Sequence, residues 1–132
     1  MKLLIVDESA AVYGRLLGML GGVEGLTALA VARSFDDLDW KCRDFRADVV
    51  VLDPRLPGAT GLSALQHVLR QCPGIPVYVY SNEPGYRARA LTMGAQAFFD
   101  KSMEFESLVT RLLEQINLHE SAMVDQYHES ST

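Results

Sequence analysis

Four apolar runs each end on a residue able to do chemistry: LLIVDE (3–8), VVVLD (49–53), VYVYS (77–81) and FFDK (98–101). Brought together, Asp7, Glu8, Asp53, Ser81 and Lys101 would make a cluster of three carboxylates, a hydroxyl and an ammonium. Three neighbouring carboxylates do not all stay ionised unaided, because like charges raise one another's pKa. Lys101 is one remedy and a divalent cation is another. An oxygen-only site with one or two carboxylates, a carbonyl and water suits Mg²⁺. His67, His119 and His128 are scattered and offer no zinc-binding spacing. A metal beside Asp53 would draw in a phosphoryl group. Attack by an aspartate on phosphorus gives an acyl phosphate, a form of covalent catalysis. Lys101 and Ser81 would then hold the remaining phosphoryl oxygens.

Such a cluster needs a scaffold that delivers strand ends to one place. Five short apolar runs alternate with five helix-like stretches. Strands are expected at Leu3–Val6, about Leu26–Val31, Val49–Leu52, Val77–Tyr80 and Ala97–Phe99. The first helix should run from Ser9 to about Leu20, with Val12, Leu16 and Leu20 inward and Gly21–Gly22 stopping it. Ser34 reads as the N-cap of a second, with Asp37 completing a start like a capping box and Leu38, Cys42 and Phe45 inward. Leu62, Leu65 and Leu69 mark a third that Pro73–Gly74 ends, and a short fourth is expected from about Gly85 to Met93. The last, Phe105 to about Leu118, carries Leu108, Leu112 and Gln115 or Ile116. Strands alternating with helices of this length imply parallel pairing through right-handed crossovers. The fold class is therefore α/β, an open, doubly wound (βα)5 sheet. Such sheets bind ligands at the carboxyl ends of their strands, where the winding direction switches.

The bulk properties narrow the function class. The 132 residues, 48% hydrophobic and 22% charged, make one globular domain. A net charge of −5 argues against non-specific binding to nucleic acid or an anionic membrane. The first apolar run is too short for a signal peptide or a membrane span. Cys42 and Cys72 lack CxxC spacing and are expected to be buried free thiols, in keeping with a reducing cytoplasm.

The pieces LLIVDES, VVVLDPRLPGATG, VYVYSN and GAQAFFDKS, in this order, resemble the receiver domain of bacterial two-component response regulators over residues 1 to about 118. The resemblance implies that Asp53 is the phosphoacceptor. Asp7 and Glu8 would hold Mg²⁺ with the Arg55 backbone carbonyl, Ser81 would contact the phosphoryl group, and Lys101 would pair with it. Phe98 matches the aromatic switch position. The partner implied is a sensor histidine kinase. A homodimer would form on the face of the fourth helix, fifth strand and fifth helix, around Tyr86, Arg87 and Arg89. Glu8 replaces a usual Asp, Asn82 a small residue, and Ser102 a frequent Pro, so the Lys101–Ser102 bond is expected trans. The Lys–Ser ending and the LPGATG loop resemble receivers that precede LuxR-type domains, although no such domain is expected within these residues.

Two other classes fit parts of the pattern. A phosphatase resembling the haloacid dehalogenase group would need a second Asp where Arg55 stands. A receiver-like interaction module would never take phosphate. Arg55 and Glu83 are expected to pair across the mouth of the site and to gate water. Asp36, Asp37, Asp39 and Asp44 read as a solvated helix face, and Gly58 and Gly61 as turn glycines. The segment 119–132 reads as a polar, disordered tail or the start of a linker.

Overall fold

The computed structural model describes the backbone of residues 1–130 and the side chains of residues 1–123. Five strands, β1 (Lys2–Val6), β2 (Ala28–Ala32), β3 (Val49–Leu52), β4 (Val77–Ser81) and β5 (Ala97–Asp100), form one sheet in the order β2-β1-β3-β4-β5. Every pairing is parallel. The helices are α1 (Ala10–Leu20), α2 (Phe35–Asp44), α3 (Ser63–Gln71), α4 (Arg87–Met93) and α5 (Phe105–Ser130). This is the expected doubly wound, flavodoxin-like architecture.

Alternate strand residues serve two cores, as the pleat requires. Leu4, Val6, Val50, Leu52, Val77, Val79 and Phe98 face one side, against Leu38, Leu65, Val68 and Ala90 of α2, α3 and α4. Leu3, Ile5, Val49, Val51, Tyr78, Tyr80 and Phe99 face the other, against Leu16, Leu20, Leu108, Leu112 and Ile116 of α1 and α5. β3 is buried along its whole length, which is why it reads as an unbroken apolar run. Each fully buried Leu or Ile is worth about 1.5–3 kcal/mol. Polar anchors punctuate these layers: Tyr78 donates its hydroxyl to Gln115 Oε1 at 3.0 Å, so the position that shares the inward face of α5 with Ile116 is a hydrogen-bonding one.

The expected elements are present, with four differences. β2 begins two residues and ends one residue later than expected, because its Ala residues alternating with Leu29 and Val31 give no sharp edge. Ser34 does cap α2, accepting from Asp37 N–H at 3.1 Å. Asp37, one methylene short of the usual Glu, reaches the Arg33 N–H at 3.2 Å and not that of Ser34. Pro84 opens a separate 3₁₀ turn, Pro84–Tyr86, before α4 begins. The largest difference is α5, which continues through Ser130 instead of stopping near Leu118. The reading of 119–132 as a disordered tail is corrected to that extent: HESAMVDQYHES holds no Gly or Pro to break a helix. Ser131 and Thr132 lie outside the described residues.

Gly25 fixes how α5 sits on the amino-terminal edge of the sheet. Its φ is +98°, and a Cβ there would come 2.8 Å from Ile116 Cγ2 and 2.7 Å from Glu120 Cδ. Gly25→Ala should therefore cost about 2 kcal/mol through left-handed strain and steric displacement of α5. Thermal unfolding checks this; a melting temperature equal to the parent's would contradict it.

Candidate functional site

Register alone delivers the chemistry to one edge. Val6 pairs with Leu52 across β1 and β3, so Asp7 and Asp53 follow side by side where the two strands end. Asp53 N–H continues the ladder onto the Val6 carbonyl at 2.8 Å, and Asp7 N–H onto that of Ala32 at 3.0 Å. Ser81 pairs with Asp100, and Lys101 N–H then bonds the Ser81 carbonyl at 3.0 Å. The winding switches between β1 and β3, which is where a doubly wound sheet opens its ligand crevice.

The side chains converge as the strand ends predict. Lys101 Nζ lies 2.5 Å from Asp53 Oδ2 and 2.7 Å from Asp7 Oδ2. All three side chains are nearly buried, at 10% exposure or less. The other carboxylate oxygens bend back onto the chain: Asp7 Oδ1 accepts from Ser9 N–H and Asp53 Oδ1 from Arg55 N–H, each at 2.9 Å. Ser81 is fully buried and its hydroxyl oxygen accepts from Glu83 N–H at 3.0 Å.

Two carboxylates share one ammonium, and the titration behaviour reflects that imbalance. Burial raises the Asp7 pKa above its ordinary value; the hydrogen bonds from Lys101 and Ser9 and the Lys101 charge oppose this, and the Asp53 charge adds to it. For Lys101, burial alone would favour the neutral amine. The hydrogen bonds and charges of Asp53 and Asp7 outweigh it, so its pKa is raised.

Not every expected residue joins the cluster. Glu8 is exposed, and its carbonyl, not its carboxylate, is held, by Arg33 Nη2 at 3.0 Å and Nε at 3.3 Å. Among the described residues no three acidic, His or Cys side chains gather as a ready metal cage. The reason is positional: Glu8 is the second residue past the end of β1, where the chain bends, and its side chain does not follow that of Asp7 into the cluster. Arg55 is exposed, with its N–H on Asp53. The expected Arg55–Glu83 pair is absent among the described residues. Glu83 instead turns back to cap the 3₁₀ turn, accepting from Gly85 N–H at 3.3 Å.

Phe98 is buried in the α2–α3–α4 core. The Arg87 guanidinium sits 4.8 Å from its ring centroid, donates to the Phe98 carbonyl at 3.3 Å and pairs with Glu104 at 2.9 Å. Asn82 is exposed and lines a cavity of about 230 Å³ beside Lys101 with Arg15, Tyr80 and Phe105. No cis peptide bond occurs among the described residues, so Lys101–Ser102 is trans. Ser102 shapes this turn by polar means, giving its N–H and hydroxyl to Asp100 Oδ1 at 2.8 and 2.5 Å. These bonds hold the exposed Asp100 carboxyl below its usual pKa.

Arg33 is the contributor missed in the sequence, while Arg87 is expected there only for the surface of the fourth helix and not for its hold on Phe98. Arg33 was within reach, since it follows β2, the strand beside β1, at the same edge. The contacts of Arg87 with Phe98 and Glu104 were not, because they depend on how α4 lies over β5.

A buried Asp–Asp–Lys cluster with a Ser, at the carboxyl edge of a 2-1-3-4-5 parallel sheet, defines a receiver-type signalling domain. The sequence model of the response regulator receiver domain family matches residues 3–113, and the chain belongs to that family. Response regulator GacA of Pseudomonas aeruginosa is 32% identical over 110 residues, which are 82% of this chain and 51% of that protein. Protein-glutamate methylesterase/protein-glutamine glutaminase 3 of Syntrophomonas wolfei is 32% identical over 76% of this chain and 29% of its own length. The chain thus spans about half or less of these curated relatives. The response regulator domain of Thermotoga maritima CheB superposes with a TM-score of 0.74 at 25% identity, covering 89% of this chain and 94% of that one. A LuxR-family two-component response regulator from Aurantimonas sp. SI85-9A1 gives a TM-score of 0.75 at 20% identity, covering 88% and 84%.

Proposed function

We propose that Asp53 accepts a phosphoryl group from a sensor histidine kinase or a small phosphodonor, and that the chain thereby relays a two-component signal. The observation that carries this reading is Asp53 itself, a nearly buried carboxylate held by Lys101 beside Asp7 at the switch point of the sheet. An Asp53 carboxylate oxygen attacks phosphorus, the O–P bond forms, and the bond to the donor's nitrogen or acyl oxygen breaks with its electron pair. Lys101, already on the attacking group, is placed to follow the charge onto the phosphoryl oxygens. The Ser81 hydroxyl accepts from Glu83, which leaves its O–H to donate to an incoming oxygen.

The donor set suits Mg²⁺. Asp7, Asp53 and the Arg55 carbonyl are hard oxygens, and two carboxylates with water are what this ion accepts. Bound there, it would neutralise charge building on the phosphoryl oxygens. Glu8 stays at the rim. The chain has no further substrate in this reading, so it is not an enzyme in the ordinary sense. Ser81 and Phe98 form the switch, and the face of α4, β5 and α5, with Leu91 and Met93 exposed, is the surface for a partner or a second copy. Residues 1–118 are the receiver unit, and the helix beyond begins a linker. A cytoplasmic location follows from the kinase partner; among the described residues no helix is long and apolar enough to cross a membrane.

Intact-mass measurement with acetyl phosphate and Mg²⁺ tests the proposal. One labile phosphoryl addition is expected in the parent and none in Asp53→Asn. A parent that takes up nothing from any donor would leave the interaction module as the better reading.

A further inference from the structure

The two cysteines, thirty positions apart in sequence, meet where the carboxyl ends of α2 and α3 pack together. Cys42 is buried at 7% exposure on the last turn of α2. Cys72 caps the end of α3 and is half-buried, so it is the more accessible of the two. The Cys72 thiol donates to the Cys42 carbonyl at 3.9 Å, which sets the two cysteines side by side. We propose that Cys72 and Cys42 form an oxidation site, in which a low-molecular-weight disulfide converts the pair into an intramolecular Cys42–Cys72 disulfide that ties α2 to α3. The site is independent of the reading of Asp53.

The roles of the two thiols follow from their surroundings. Cys72 is the accessible one, and its thiolate attacks a sulfur of oxidised glutathione. A Cys72–S–S–glutathione bond forms, and a glutathione thiolate leaves and takes up the proton that Cys72 released. Cys42 then attacks the Cys72 sulfur of this mixed disulfide. The Cys42–Cys72 bond forms, and the second glutathione leaves, protonated by the hydrogen that Cys42 gives up. Two protein thiols are oxidised and one glutathione disulfide is reduced to two thiols. Burial, with the Cys72 thiol next, pushes the Cys42 pKa up to about 12. Little Cys42 is thiolate at neutral pH, so the second step should be slow and should quicken as pH rises. The closed loop would enclose β3, Asp53 and α3.

The test uses the full chain with oxidised glutathione, read by intact mass and by peptide mapping after alkylation of free thiols. In the parent, a glutathione adduct on Cys72 should appear first. It should then convert to a form lacking two hydrogens, whose linked peptide joins Cys42 to Cys72, faster at pH 8.5 than at pH 7. Cys42→Ser should stop at the Cys72 adduct, and Cys72→Ser should form neither product at comparable times. A parent adduct as persistent as that of Cys42→Ser overturns the proposal. So does cross-linking between two chains in place of the internal bond, or the absence of any reaction while the fold is intact by circular dichroism.

Discussion

Lys101→Met is expected to destabilise the protein by about 3 kcal/mol at neutral pH, lowering the melting temperature by about 10 °C. Methionine keeps the length and apolar body of the side chain, so the lost quantity is the charge. Without it, Asp7 and Asp53 stand buried together with no cation, 2.7 and 2.5 Å from where the ammonium was. Removing one partner of a buried pair strands the other, which costs more than the pair contributed. The pH dependence identifies the cause. The Lys101 pKa is raised on folding, so its contribution is complete below the ordinary lysine value and is lost only as pH rises through the higher folded value. On the acid side, protonation of Asp7, whose pKa burial raises, relieves the variant. The gap between variant and parent should therefore narrow from pH 7 to pH 4. Equal melting temperatures at pH 7, or a gap that does not change with pH, would show that Lys101 acts through packing alone.

The same physics separates what could be read in the sequence from what could not. Asp7, Asp53, Ser81 and Lys101 were legible because each ends a strand, and in a parallel sheet the carboxyl ends share an edge whatever the helices do. Register needs only the backbone ladder, and Val6 against Leu52 brings two carboxylates together with no side-chain detail. Glu8 shows the limit of that logic. Two steps past the strand, the backbone bends, and its carboxylate ends in solvent while Arg33 holds its carbonyl. Arg55 and Glu83 were paired on the supposition that facing loops exchange charge. A local bond to Gly85 N–H costs less conformational entropy than a salt bridge between exposed loops, and Glu83 takes it. The contact of Cys42 with Cys72 depends on how α2 and α3 pack side by side on one face of the sheet, which sequence spacing does not encode. The end of α5 differs for another reason: a polar segment reads as a tail, but Glu, Ala, Met and Gln are good helix formers and no Gly or Pro interrupts the run.

Asp7→Asn should do the opposite of Lys101→Met to stability while removing function. The parent cluster carries two carboxylates and one ammonium, a net charge of −1 in a buried place. Lys101→Met takes it to −2 and Asp7→Asn to zero, so stability at neutral pH should follow that order. The direction for Asp7 comes from its pKa, raised on folding first by burial. The folded state then holds the Asp7 proton more tightly than the unfolded chain does. Its favourable contribution is present below the ordinary value of 3.8 and is lost as pH rises through the folded value, so at pH 7 the ionised group is a burden on the fold. Asparagine lifts that burden and keeps an oxygen for the Ser9 N–H, which Asp7 Oδ1 now accepts at 2.9 Å. A gain of about 1 kcal/mol at pH 7 is expected, shrinking toward zero by pH 3, where the parent carboxyl is itself neutral. With one hard anionic oxygen fewer, Mg²⁺-dependent phosphoryl uptake from acetyl phosphate should fall below detection although Asp53 is untouched. Thermal melts at pH 3 and 7 with intact-mass labelling check both halves. A variant less stable than the parent at pH 7 would mean that the attraction of Lys101 for Asp7 exceeds its burial cost. Uptake that persists undiminished would remove Asp7 from the metal-binding set and leave Asp53 to hold the ion without it.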